Sequence, residues 1–142
     1  MTANVVDALM DWGRKAMLGA QQVIRQGQEV LPVAVLCDAG GKITLAPLVG
    51  IRNADERAQL IRELVQKTHA VAVGIFSDAY IRDPVTNERI GEQLTLTVQT
   101  SNDDGVGLAC RYTRDPLVFG AIETFDRSAF IRDLFPPTRP PA

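Results

Sequence analysis

Residues 70–76 read Ala-Val-Ala-Val-Gly-Ile-Phe, an almost continuous apolar run without a single charged side chain. A run of this length is far too short for a membrane span, and it is typical of a strand that is covered on both faces. We therefore predict that it forms the central strand of a sheet. The segments on either side then supply the neighbouring strands.

A hairpin is predicted before this strand. Two apolar segments, residues 33–37 and 43–48, flank the sequence Asp-Ala-Gly-Gly at 38–41, whose glycines allow the positive φ of a tight reversal. Pro47 has no backbone N–H to donate within a sheet. We therefore expect residues 43–48 to form an edge strand.

Further strands are predicted after the central one. Between Glu92 and Thr100 the sequence alternates strictly, with Leu94, Leu96 and Val98 pointing one way, as in a half-exposed strand. Residues 106–113 and 117–125 predict two more strands.

Two helices complete the pattern. The first runs from about Ala3 to Gln26, and Gly13 and Gly19 should weaken it by about 1 kcal/mol each relative to alanine. The second begins after its cap, Asn53, and ends at Lys67 and His69, whose positions suit the helix dipole.

The first helix carries two adjoining apolar rows, which together exceed what one sheet face usually covers. We therefore expect one row to pack on the sheet and the other on a second copy, giving a symmetric homodimer with Met10, Trp12 and Met17 at its interface. The rows are Val5, Leu9, Trp12, Ala16 and Val6, Met10, Met17, Ile24.

The predicted fold class is α+β, with a mostly antiparallel sheet of about five strands and helices packed against one face. The element order is α-β-β-α-β-β-β, followed by a short helix that Asp126 can cap. Residues 1–135 are expected to form a single domain. Residues 136–142 contain four prolines and no core residue, which predicts a disordered tail.

Charge and composition narrow the function classes. The chain has 15 basic and 17 acidic residues, a net charge of −2, with no dense basic cluster, which argues against nucleic acid as the main partner. No apolar run approaches a membrane span, and the N-terminus does not resemble a signal peptide. The sequence therefore predicts a cytoplasmic protein that does not bind membranes.

Metal and thiol chemistry have few candidate residues. Cys37, Cys110 and the single histidine, His69, lack the paired spacing and the number of ligands that a zinc site needs. We expect no metal and no cofactor. Both cysteines lie in apolar runs, so we expect buried free thiols, the alternative being a disulfide between neighbouring strands.

The polar segment after the central strand, residues 77–89, holds the candidate binding residues. Ser77, Asp78, Tyr80 and Arg82 offer hydrogen-bonding groups and an aromatic surface at the end of a buried strand, where sites often form. The alternative is an ordinary solvated loop with a turn at Asp83-Pro84. If the strand continues, Asp78 and Tyr80 share a face.

The sequence contains no complete catalytic motif. Spacing alone leaves open a triad of Ser77, His69 and an aspartate, but Ser77 lacks the flanking glycines of a nucleophile elbow. We assign no catalytic residue. The expected function is a non-catalytic interaction or assembly module with a protein partner. The alternative is a small hydrolase or ligand-binding enzyme that uses residues 77–82.

Two resemblances add context. Residues 32–36, 43–48 and 71–80 resemble segments of a group of short uncharacterised proteins from bacteria and bacteriophages, in which a similar strand ends in Ser, an acid, Ala and an aromatic residue. This resemblance implies a bacterial or phage origin and no particular activity. The order of elements also resembles that of Roadblock and longin-like domains, which are dimeric binding platforms.

Overall fold

A computed structural model describes residues 2–51, 53–100 and 103–126 of the chain. The predicted disordered tail, 136–142, lies outside these residues, as does the final helix predicted after Asp126. The elements in chain order are α1 (Thr2–Arg25), β1 (Val33–Asp38), β2 (Ile43–Pro47), α2 (Ala54–Thr68), β3 (Ala70–Arg82), β4 (Arg89–Thr100), β5 (Asp103–Thr113) and β6 (Val118–Asp126).

The strands form one antiparallel sheet in the order β2-β1-β3-β4-β5-β6. The apolar run that begins at Ala70 lies in β3, inside the sheet, and β2 with Pro47 lies at an edge, so both predictions are confirmed. The α+β class is also confirmed. The described sheet has six strands rather than about five.

The two helices cover opposite faces of the sheet, so the expectation that they share one face is wrong. Residues of β3 alternate between the helices: Ala72 and Phe76 pack in the cluster under α1, and Val73 and Ile75 pack in the cluster under α2. The physical reason lies in β3 itself. A strand that is apolar on both sides needs a covering layer on each.

Local signals place α2 as predicted. The Asn53 side chain accepts a hydrogen bond from the backbone N–H of Glu56 at 2.8 Å, and His69 ends the helix in the left-handed conformation with φ 58°. None of the described helices is both long enough and apolar enough to cross a membrane.

Most residues of the two apolar rows of α1 are buried within a single chain, which corrects the interface predicted for Met10 and Met17, whereas Trp12 is partly buried. Met10 is 8% exposed and Met17 is 0% exposed, while Trp12 packs edge-on against Phe76 with ring centroids 5.8 Å apart. The broad sheet face contacts the helix from β1 to β5. Met10 and Met17 therefore offer almost no apolar surface to a second copy.

The cysteines are free and buried, as predicted. Cys37 lies on β1 and Cys110 on β5, with β3 and β4 between them, so their backbones are separated by at least about 14 Å. A disulfide spans less than about 7 Å, and the alternative of a disulfide between neighbouring strands is wrong. Burial raises the pKa of both thiols.

Helix α1 lies close to the sheet at Leu96, a fully buried residue of β4. A Cβ atom built on Gly13 would overlap Leu96 Cδ2, and one built on Gly74 of β3 would lie 2.9 Å from Leu96 Cδ1. The leucine therefore fills a space that exists only because both neighbours are glycines. The absence of a side chain at Gly13 is therefore required for this packing, although glycine also lowers the stability of the helix.

The two glycines of α1 should respond oppositely to alanine. Gly13→Ala should destabilise the protein by about 1–3 kcal/mol through overpacking. Gly19→Ala should stabilise it by up to about 1 kcal/mol, because Gly19 is exposed and a Cβ atom added there would have no neighbouring atom within 4 Å. Urea unfolding of both variants measures this. Equal stabilisation by the two alanines would contradict the close approach.

Candidate functional site

Strand β3 continues through the polar segment to Arg82, so the loop alternative is wrong for residues 77–82, whereas the turn that it placed at Asp83-Pro84 is confirmed. Asp78 and Tyr80 share the α1 face, as predicted for a continuing strand. Ser77 points to the opposite face, where its hydroxyl lies 3.4 Å from that of Thr95. Arg82 follows a register shift and donates to the Asn87 carbonyl in the hairpin turn at 3.0 Å. Only Asp78 and Tyr80 therefore belong to one site.

Neighbouring strands add residues that the sequence did not single out. Tyr80 pairs with Glu92 on β4, and Glu92 pairs with Tyr112 on β5, so these side chains form a row across the sheet. Arg114 follows β5 and reaches back to the same row. These residues lie far apart in the sequence, and only the register between the strands brings them together. No local sequence pattern therefore predicts the row.

The side chains in this row form a hydrogen-bonded network. The Tyr112 hydroxyl lies 2.7 Å from each carboxylate oxygen of Asp78 and 3.4 Å from Glu92 Oε1. Arg114 Nε donates to Glu92 Oε2 at 2.6 Å. Tyr112 is only 2% exposed, and its ring packs against Phe119 at a centroid distance of 5.3 Å. The core therefore fixes the donor that orients Asp78.

Burial raises the pKa of Asp78 above its ordinary value, and the nearby Glu92 carboxylate raises it further, while the Tyr112 hydrogen bond and Arg114 oppose the shift. The pKa of Tyr112 is also raised, first by burial and then by its hydrogen bond to Asp78. The Glu92 hydrogen bond raises the pKa of Arg114. Glu92 therefore pairs with the Arg114 guanidinium, whereas the side chain that donates a hydrogen bond to Asp78 is the uncharged Tyr112 hydroxyl.

The Asp78 carboxylate retains unused capacity to accept hydrogen bonds. A tyrosine hydroxyl has one proton, so Tyr112 cannot donate fully to both Asp78 oxygens and to Glu92 at the same time. The backbone of Ala79 provides one more donor. A carboxylate offers about four lone-pair positions, so a donor-rich group could still bind.

A cleft of about 360 Å³ opens beside this carboxylate. Helix α1 ends at Arg25, and Gly27 turns the chain with φ 77°, which leaves the last rows of the sheet face without a helical cover. The segment that follows the helix forms one wall and the strands form the other. The lining residues are Gly27, Gln28, Glu29, Val30, Asp78, Ala79, Tyr80, Glu92 and Arg114.

Guanidinium groups already lie on aromatic rings around this cleft. Arg89 lies 3.9 Å from the centroid of the Tyr80 ring, and Arg114 lies 5.6 Å from that of Tyr112. Such contacts stabilise a cation on the ring face. The region therefore combines carboxylates with aromatic surfaces, and the chain's own arginines show that guanidinium fits them.

The histidine and the serine of the possible catalytic triad do not lie close together. His69 precedes β3 and Ser77 lies eight residues further along, a distance of about 25 Å in an extended strand. A triad using these two residues is wrong. Among the side chains that the structure describes, no group of three or more His, Cys, Asp or Glu residues is arranged to hold a metal ion.

Comparison with known proteins gives no further assignment: no family model, no curated protein and no solved structure matches this chain.

The raised pKa of Asp78 predicts an unusual pH dependence. The folded state holds the Asp78 proton more tightly than the unfolded chain, so this residue lowers stability as pH rises from 3.8 through the raised pKa. Asp78→Asn removes that loss. The free energy of unfolding of Asp78→Asn relative to wild type should therefore increase as pH rises through this range.

Asp83 provides a control of opposite sign on the same hairpin. The backbone N–H groups of Thr86 and Val85 lower its pKa, so its contribution to stability is present above pH 3.8 and is lost as pH falls through the lowered value. Asp83→Asn should therefore lose stability relative to wild type as pH rises. Urea unfolding between pH 3 and 7 measures both variants. The same sign for both would contradict the assigned environment of Asp78.

Proposed function

We propose that this protein is a non-catalytic interaction module, and that its partner places a cationic side chain in the cleft beside Asp78. The observation that supports this most directly is the Asp78 carboxylate, half-buried, held by a neutral hydroxyl and open to the cleft. A site of this kind lowers the stability of the empty protein. A cation that binds there relieves the loss.

The charges around the cleft favour a cation over an anion. Three carboxylates line it, those of Glu29, Asp78 and Glu92, with the guanidinium of Arg114, while that of Arg89 lies beside it on the Tyr80 ring. Arg114 is already engaged with Glu92. The remaining carboxylates would repel a phosphate or carboxylate ligand, whereas a charged donor on Asp78 would form a hydrogen bond worth about 1.5–3 kcal/mol.

Arginine fits better than lysine. Its planar guanidinium can donate to both oxygens of one carboxylate and can stack on an aromatic ring. Asp78 offers the carboxylate. Tyr80, two residues along on the same face of the strand, is half exposed and offers the aromatic surface, although Arg89 already lies on one face of its ring. The ammonium of lysine would form the charge contact without the paired geometry.

We further propose a cytoplasmic location and a homodimeric state, as the sequence led us to expect. The two unbridged thiols, Cys37 and Cys110, support a reducing compartment. The homodimer needs a surface other than Met10 and Met17, because both are buried in the monomer.

A ligand-binding enzyme is the second candidate. A carboxyl group with a raised pKa in a cleft is a feature of general acids, and Asp78 has that feature. Of the residues expected to serve such an enzyme, Ser77 faces away from the cleft. The site then lacks a nucleophile from that segment, which is why we prefer binding to catalysis.

The test uses a short capped peptide with one central arginine and its citrulline, lysine and glutamate analogues, titrated into ¹⁵N-labelled protein by NMR. The arginine peptide should shift the amide signals of Gln28–Val30 and Asp78–Tyr80. Citrulline has nearly the same shape without the charge and should bind at least about tenfold more weakly, a difference of about 1.4 kcal/mol. The glutamate peptide should not bind.

Two variants with equal change of charge complete the test. Asp78→Asn should weaken binding of the arginine peptide at least about tenfold. Glu88→Gln, an exposed residue of the same hairpin that does not line the cleft, should leave it unchanged. Equal binding of arginine and citrulline, or equal losses in the two variants, would contradict the proposal.

A further inference from the structure

The outer side of β2 presents backbone groups with no neighbouring strand among the described residues. The hydrogen bonds from Asp38 N–H to the Lys42 carbonyl and from Leu48 N–H to the Pro32 carbonyl fix the phase of the β1–β2 ladder. In an antiparallel ladder the direction alternates with each residue. The backbones of Ile43, Leu45 and Pro47 therefore point outward.

This edge is apolar and carries no charge. Strand β2 reads Ile-Thr-Leu-Ala-Pro, and Leu45 at its centre is 53% exposed. Leu31 and Val49, just beyond the open end of the β1–β2 hairpin, are also more than half exposed. Edge strands discourage pairing through charged side chains, proline or short length. Strand β2 has five residues and no charge, and its proline, Pro47, stands at the last position.

The other edge of the described sheet differs in this respect. Strand β6 reads Val-Phe-Gly-Ala-Ile-Glu-Thr-Phe-Asp, so it carries two acidic residues and an internal glycine. Inserted charges and glycine both disfavour pairing with another strand. The two edges therefore differ in the way expected if one of them is an interface.

We propose that β2 pairs with β2 of a second copy, antiparallel and centred on Leu45, to join the two sheets into one. The Leu45 N–H of each copy then donates to the Leu45 carbonyl of the other copy. Ile43 N–H donates to the Pro47 carbonyl of the second copy, so the missing N–H of Pro47 falls at the end of the ladder. The pairing is self-complementary, as a two-fold interface requires.

Side chains suit the same arrangement. The two Leu45 side chains lie directly opposite each other on one face, where their exposed apolar surface is removed from water. Lys42 of one copy lies across from Leu48 of the other, so the two lysines are separated by about 20 Å. No like charges meet at the interface.

Light scattering across a concentration series tests the interface. Wild-type protein should reach twice the 15.5 kDa chain mass. Leu45→Lys places two like charges opposite each other and should raise the dissociation constant at least tenfold while the protein stays folded, because Leu45 is half exposed. Val118→Lys, on the other edge strand and 55% exposed, should leave the dimer intact.

Amide hydrogen exchange locates the contact. The N–H groups of Ile43 and Leu45 should be protected in the wild-type dimer and should exchange rapidly in Leu45→Lys, whereas Thr44 and Ala46, which bond to β1, should be protected in both. A 15.5 kDa mass at high micromolar concentration would overturn the proposal. A dimer with rapid exchange at Leu45 would overturn it too, since the contact would lie elsewhere.

Discussion

The close contact at Leu96 holds α1 against the sheet, and the end of that helix at Arg25 determines where the cleft opens. Gly13 and Gly74 leave the space that this leucine fills, and larger residues at either position would move the helix outward. From Gly13 the helix extends about 18 Å further, to Arg25. The strands β3, β4 and β5 continue beyond that point. The cleft exists because the helix ends before the sheet does.

The side chains at the uncovered end of the sheet are continuous with the hydrophobic core. Tyr112 packs with the buried residues under α1 and directs its hydroxyl at Asp78, so the core fixes the functional carboxylate in place. The arrangement has an energetic consequence. A partly desolvated carboxylate whose side-chain hydrogen-bond donor is a neutral hydroxyl lowers the stability of the empty protein, as is common for residues kept for binding.

The two proposed surfaces lie on different parts of the sheet. The cleft is formed by β3, β4 and the residues after α1 and β5, and the β2 edge lies on the other side of β1. Pairing at β2 would leave both clefts of a dimer open. A partner with two arginines at suitable spacing could then bind both copies, with a gain in apparent affinity from bivalence.

Local signals account for the features that the sequence predicted well. The apolar run at 70–76, the Asn53 cap and the Gly-Gly hairpin each depend on residues close together in the chain. The same holds for the shared face of Asp78 and Tyr80, which needs only the alternation of a strand.

Non-local pairing accounts for the features that the sequence missed. Glu92 and Tyr112 join Asp78 only through the register of three strands, and no pattern within any one strand encodes it. The interface predicted at Met10 and Met17 was wrong because the width of the sheet under α1, from β1 to β5, is a property of the whole fold. Helix propensity alone indicates that Gly13 lowers the stability of the helix. The packing role of Gly13 could not be predicted, because its neighbour Leu96 is more than eighty residues away in the sequence.

The most direct test of cation binding in the cleft is the pKa of the Asp78 carboxyl group, followed by ¹³C NMR in the free protein and at saturation with the arginine peptide. We predict a pKa above 3.8 in the free protein, because of burial and the neighbouring Glu92. Bound guanidinium stabilises the charged form, so the pKa should fall when the peptide binds. An ordinary pKa in the free protein, or a raised one that saturating peptide leaves unchanged, would contradict the assignment of Asp78 as the binding group.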